Sequence, residues 1–276
     1  MRLAVYFLSL VICAVCTMRE NAVKFRTKFT KLWNVESDWH EDCLANVVLF
    51  VPGFGRLGSL QLSDPPHYTG GGSRVYLFEN FVVKVSTRKS RHVAHVSESV
   101  MLDLLENTHL HITRYFLQRA FHPKISTNCL NRILVVENVG KHNLEMHRWN
   151  GKVSELVSVG TAMVRLVQEL HLLGFVHGDV HPGNFVYSVS PQVDLRLIDW
   201  GTTRPHVRLT KEPQVYDFDA SRGRDLASIF KILAMYTFDK PKIEAQFLKL
   251  AHNLEFLGFA TQPDYGSLIR SLSLVS

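Results

Sequence analysis

Val176-His-Gly-Asp179-Val-His181-Pro-Gly-Asn184, followed by Leu197-Ile-Asp199-Trp200-Gly201, decides how this chain is read. An aspartate and an asparagine share one short loop, and a second aspartate precedes a glycine a little further on. Phosphoryl transfer from a nucleotide needs this set. One carboxylate orients or deprotonates the acceptor hydroxyl, while an amide oxygen and another carboxylate hold the magnesium ions that bridge the phosphates. Asp179 is the candidate base, and Asn184 and Asp199 are the candidate metal ligands. Phe185-Val-Tyr187 reads as a strand, Ser190-Pro191-Gln192 as a turn and Leu195-Arg-Leu-Ile198 as the return strand. That hairpin predicts that Asn184 and Asp199 meet over one site.

Such chemistry also needs an upstream lysine paired with a helical glutamate. Phe81-Val-Val-Lys84-Val85 is a β-branched run with one lysine inside it. Taken alone, Lys84 is as readily a snorkelling edge-strand side chain. Downstream, Ser97-Glu98-Ser-Val100-Met101-Leu-Asp-Leu104-Leu105 has helical apolar spacing and places Glu98 on a first turn. With both downstream loops in view, a Lys84–Glu98 ion pair is the better account, and Glu106 is the alternative partner.

Phosphates also call for a glycine-rich loop before Lys84. Gly53-Phe-Gly55-Arg-Leu-Gly58 has GxGxxG spacing but lies far upstream, and it reads as a loop between strands. Gly70-Gly71-Gly72-Ser73 fits the spacing poorly. It nevertheless leads through Val75 into a tight hairpin, turning at Glu79-Asn80, that ends on Lys84. It is the preferred phosphate loop. Arg132-Ile-Leu-Val-Val136-Glu137-Asn-Val139-Gly140 supplies a last sheet strand and a linker. Backbone groups from Glu137 to Val139 can meet an adenine there, although a plain buried strand ending at a glycine turn fits those residues equally well. A helical stripe from Val157 to Leu173 then ends at Gly174, just before the Asp179 loop.

As a set these motifs resemble the eukaryotic protein kinase superfamily over residues 67–276. The resemblance implies ATP and Mg2+ as cofactors and a protein Ser/Thr hydroxyl as acceptor. Lys84 resembles the lysine on the α- and β-phosphates, Glu98 its helical partner and Asp179 the catalytic-loop aspartate. Asn184 and Asp199 resemble the metal ligands, and Asp225 resembles the buried aspartate that braces the catalytic loop. Residues 220–230 and Leu257 to Leu268, with Pro263-Asp264-Tyr265, are similar to the casein kinase one and vaccinia-related kinase branch. There are departures. Gly178 stands where arginine usually precedes the catalytic aspartate, His181 stands in a lysine's place, and the segment between Asp199 and Asp225 is short with no Ala-Pro-Glu. His-Gly-Asp-x-His-Pro-Gly-Asn with Ile-Asp-Trp is also similar to aminoglycoside and choline phosphotransferases, which act on small molecules. A pseudokinase scaffold is a further alternative, though it has no chemical need for all five side chains.

The expected fold is α+β and two-lobed, with a small antiparallel β lobe (67–139) and a mainly helical lobe (140–276). At 276 residues, 46% of them hydrophobic, the chain is long enough for one such domain. The net charge of +6 is spread along the chain without an aromatic-interleaved basic run, so no nucleic-acid partner is expected. Residues 17–66 read as an extension containing a strand, Val47–Val51, and no role is assigned to it. Leu3 to Val15 is an uncharged apolar run after Arg2, too short for a comfortable membrane span. It is expected to be a signal peptide cleaved after Cys16, which implies the secretory pathway. An N-terminal core helix or an uncut anchor is the alternative. Cys43 and Cys129 would then allow one disulfide at most.

Overall fold

The computed structural model describes residues 16–30, 47–51, 55–60, 66–70, 73–79, 81–86, 89–106, 108, 119–120, 133–140, 143–145, 152–188, 194–206, 221–257 and 262–275. The leader segment up to residue 15, Cys43, Cys129, the turn at 190–192 and residues 207–220 after the Asp199 loop lie outside them.

The small lobe is built on an antiparallel sheet with the order β3-β4-β5-β7. Its strands are β3 (Tyr68–Gly70), β4 (Ser73–Leu77), β5 (Phe81–Ser86) and β7 (Ile133–Glu137). Alternation sets the faces of β5. Phe81, Val83 and Val85 are buried on one side, and Val82 and Lys84 point to the other. β4 and β5 pair from Leu77–Val82 to Ser73–Ser86, as the hairpin reading expected. β7 then pairs with β5 and sets Leu134 opposite Lys84.

A second sheet joins β1 (Val47–Val51), β2 (Gly55–Leu60) and β6 (Arg119–Ala120) in the order β2-β1-β6. The GxGxxG match therefore does not form the expected loop: Gly55 and Gly58 lie inside β2, paired with Val51 and Leu49. The apolar strand beside it draws those glycines into a ladder, and the register shifts between Leu49 and Phe50 opposite them, an irregularity that glycine in a strand often accompanies.

Six helices lie among the described residues. Residues 16–30 form α1, and α2 spans Lys89–Leu105. Since α2 begins well before Ser97, Glu98 sits mid-helix and not on a first turn. Ser97 is a potential cap by residue type, but it spends its hydroxyl on Thr203 O at 3.0 Å. The helical lobe contains α3 (Val153–Leu172), α4 (Arg222–Met235), α5 (Pro241–Glu255) and α6 (Tyr265–Ser273).

α3 carries the expected stripe, with Leu156, Val159, Met163, Val164, Val167 and Leu170 all buried. At Gly160 a Cβ would meet Leu233 Cδ1 at 2.8 Å, so the missing side chain is what lets α4 lie close against α3. Ser221 and Asp264 cap α4 and α6, accepting the backbone N–H of Arg224 and Ser267. Two short ladders complete the lobe. β8 (Phe175–Val176) pairs with β11 (Arg204–Pro205), and β9 (Phe185–Ser188) pairs with β10 (Asp194–Leu197). Helices and small antiparallel sheets thus form a kinase-like α+β fold.

Part of the extension left without a role is helical and docked. Met18, Ala22 and Phe25 are buried on one face of α1. Phe25 packs on Phe175 with ring centroids 6.0 Å apart, Asn21 donates to Leu173 O at 3.0 Å, and Lys28 pairs with Asp103 of α2.

Candidate functional site

Lys84 extends from the cavity face of β5 to two carboxylates at once. Its Nζ lies 2.8 Å from Glu98 Oε1, 3.0 Å from Glu98 Oε2 and 3.2 Å from Asp199 Oδ1. The pair is enclosed, with side chains 16% and 4% exposed, so water screens it little. Burial alone would lower the Lys84 ammonium, but the two carboxylates overcome it and the net shift is upward. Burial raises the Glu98 carboxyl against the pull of Lys84. Lys84 holds the Asp199 carboxyl below its usual range. Glu106, the alternative partner, is exposed in the turn after α2.

The loop bearing Asp199 is pressed against α2. Gly201 lies so close that a Cβ there would stand 3.1 Å from Ala94 Cβ. The backbone N–H of Trp200 donates to the Glu98 carboxylate, and the Trp200 ring is fully buried, edge-on to His177 at 5.2 Å. Asp199 has φ 63 and ψ 66, a left-handed conformation that a non-glycine residue adopts at some cost. Among the described residues it is the only non-glycine with positive φ.

On the Asp179 loop, Asn184 is buried and donates from Nδ2 to Asp179 O at 2.9 Å and toward Asp179 Oδ2 at 3.4 Å. That use of the amide nitrogen leaves Oδ1 as the group able to face a cation. Ile198 N donates to Asn184 O at 2.9 Å, which ties the two loops together. His181 Nδ1 accepts the Gly183 N–H at 3.1 Å, and its Nε2 lies 3.8 Å from Asp179 Oδ2.

Gly178 has φ +79 and donates its N–H to Asp225 Oδ1 at 3.0 Å. An arginine there would strain the backbone, which gives the departure from the kinase pattern a physical reason. Asp225 Oδ2 accepts the His177 N–H at 2.8 Å. Asp225 therefore sits behind the loop as the resemblance implied.

Lys84, Glu98, Asn184 and Asp199 all line one cavity of about 690 Å³. Val75, Glu137 and Val139 line it too, joined by Leu77, Val82, Val136, Val186 and Ile198 as an apolar slot. Asp179 is held beside it through Asn184. In the proposed phosphate loop, Gly70 closes β3 and pairs with Ser73 across the turn, while Gly71 and Gly72 lie outside the described residues. Sequence reading missed Tyr68, Asn143 and Glu145 on the cavity wall and the Ser73 Oγ···His95 Nε2 contact of 3.1 Å. None of these belongs to a spaced motif, so no local pattern marks them.

The residues fit a hard cation. A carboxylate and an amide oxygen suit Mg2+, which takes oxygen ligands and keeps phosphate oxygens and water in its remaining positions. Among the described residues no cluster of three or more His, Cys, Asp or Glu could hold a metal by itself, so a cation here would share its shell with a ligand.

Comparison with known proteins gives a consistent picture. No curated protein matches the chain. Residues 117–225, which include the Asp179, Asn184 and Asp199 loops and end on Asp225, are similar to the family described as the ABC1 atypical kinase-like domain. That family is kinase-like, and its description names no casein kinase one or vaccinia-related branch.

Proposed function

We propose that this chain is an ATP- and Mg2+-dependent phosphotransferase that passes the γ-phosphoryl group to a Ser/Thr hydroxyl of a protein substrate. The observation that supports it most is Lys84 held by Glu98 and Asp199 on the wall of one cavity. The apolar slot suits an adenine, with backbone groups from Glu137 to Val139 at its edge. Lys84, already protonated and oriented, meets the α- and β-phosphates. Asn184 and Asp199 would hold magnesium, whose charge offsets that of the phosphates. Asp179 accepts the proton of the acceptor hydroxyl as the phosphoryl group moves in line. Most of the acceleration comes from positioning and charge neutralisation.

A second acceptor class has its own support. His181 and Gly183 line the same cavity, with His181 in place of a lysine, and the family match is to an atypical group. Small-molecule alcohols are therefore the alternative substrates. Incubating the purified chain with γ-labelled ATP and either acidic proteins or an alcohol panel separates the two. Label on serine or threonine supports the first acceptor class, and label only on small molecules replaces it with the second. Nucleotide binding without any transfer points to a scaffold.

A further inference from the structure

Phosphotransfer leaves one buried polar chain unused. Tyr265, the first residue of α6, sends its hydroxyl to within 2.7 Å of His171 Nδ1. His171 Nε2 in turn lies 3.0 Å from Asp225 Oδ2. Asp225 carries the His177 and Gly178 N–H groups immediately before Asp179. Tyr265, His171 and Asp225 are only 5%, 1% and 2% exposed.

The direction of each proton follows from what each group can do. A carboxylate only accepts, so His171 Nε2 carries the hydrogen toward Asp225. Burial holds the imidazole below its ordinary range, so the ring is neutral and Nδ1 is an acceptor. The Tyr265 O–H fills it. Burial likewise raises the phenol, so it remains a donor. Removing the hydroxyl would leave a buried acceptor without its partner, and the ring would be free to turn or change tautomer.

We propose that Tyr265 is a positioning residue: its hydroxyl fixes the His171 ring and tautomer, and through Asp225 it holds the backbone that presents Asp179. This rests on the phosphotransfer reading for its consequence, but not for its structural test. It also gives the Pro263-Asp264-Tyr265 motif a role. Asp264 caps α6, and the capped helix delivers the phenol.

The test uses the full chain with ring-15N histidine and compares wild type with Tyr265→Phe, a nearly isosteric change. Wild type should show His171 as the neutral Nε2–H tautomer, and the variant should show that signature lost or mixed. Amide exchange at His177 and Gly178 should quicken about three- to tenfold, the usual reach of one buried hydrogen bond. kcat should fall by a similar factor with KM for ATP unchanged. The same change in a His171→Leu background should add nothing, because the path is already cut.

Equal quickening in both backgrounds would show that Tyr265 only packs. An unchanged tautomer with wild-type exchange, or an unchanged kcat in an active protein, would also overturn the proposal. If wild type transfers no phosphate at all, the phosphotransfer reading falls alone, and tautomer and exchange still decide the role of Tyr265.

Discussion

Gly201 sits against Ala94 so tightly that a methyl group on Gly201 would lie 3.1 Å from Ala94 Cβ and 3.3 Å from Ala94 O. This contact seats the Asp199 loop on the flank of α2, one turn from Glu98. The helix that supplies the partner of Lys84 and the loop that carries Asp199 are therefore one packed unit. Glu98 receives the Trp200 N–H for the same reason.

Gly201→Ala should separate them. The new methyl meets backbone as well as side chain, so α2 or the loop must shift, at about 1–3 kcal/mol of stability. Nucleotide affinity should fall further than stability, because Lys84 loses its two-sided seat. Chemical denaturation and a nucleotide titration on the same variant measure both. Unchanged nucleotide affinity would show that the Lys84 geometry does not depend on this packing.

Asp179→Asn should leave Mg-ATP binding nearly intact and lower the transfer rate by a factor of about 100 or more, since the amide cannot take the hydroxyl proton. Asn184 still has the Asp179 main-chain carbonyl to donate to, so the loop should hold its shape. Single-turnover transfer checks this, and wild-type rates would mean the base lies elsewhere.

Burial pushes His171 and His177 below the ordinary imidazole value of 6.5. Asp225 faces both rings, and Asp199 and Asp179 also face His177; these carboxylates oppose the shift without reversing it. A depressed native value means that the unfolded chain binds protons which the native chain refuses. The stability from these rings is complete above pH 6.5 and is lost as pH falls below it. Each ring can contribute a slope of up to about 1.4 kcal/mol per pH unit. Thermal unfolding between pH 7 and pH 5 should show Tm dropping, with a shallower drop in His171→Leu. A flat profile would mean that both rings take up protons in the folded chain as readily as in the unfolded one.

The helix at 16–30 belongs to the core, with Phe25 only 1% exposed against Phe175. Phe25→Ala should cost about 3–5 kcal/mol. Lys28→Glu should cost far less, because the Lys28–Asp103 pair is solvent-exposed. Denaturant midpoints for the two variants give the ranking. Equal, small losses would show that α1 is not part of the folded domain.

Much of the site was legible because it is written in local motifs. Asp179 and Asn184 share a loop, and a strand pattern of period two fixes which way Lys84 points. Glu98 could be matched to Lys84 because helix spacing and charge sign agreed. Its mid-helix place was not legible because the helix begins with Lys89-Ser-Arg-His92, a polar turn that carries no apolar spacing. The strand role of Gly55 and Gly58 was hidden in the same way, since glycine spacing says nothing about the partner that β1 provides. α1 and the Tyr265–His171 contact join residues far apart in the chain. No single-sequence pattern reports such pairs, since their signal exists only after folding.

The central claim is that Lys84, Asn184 and Asp199 converge on a magnesium-nucleotide pocket. Calorimetric titration of ATP into the full chain, with and without Mg2+, tests it most directly. The account predicts one site per chain that tightens with Mg2+, weakens at least tenfold in Lys84→Met and loses its Mg2+ dependence in Asp199→Asn. No binding at millimolar nucleotide, or binding indifferent to both substitutions, would contradict it.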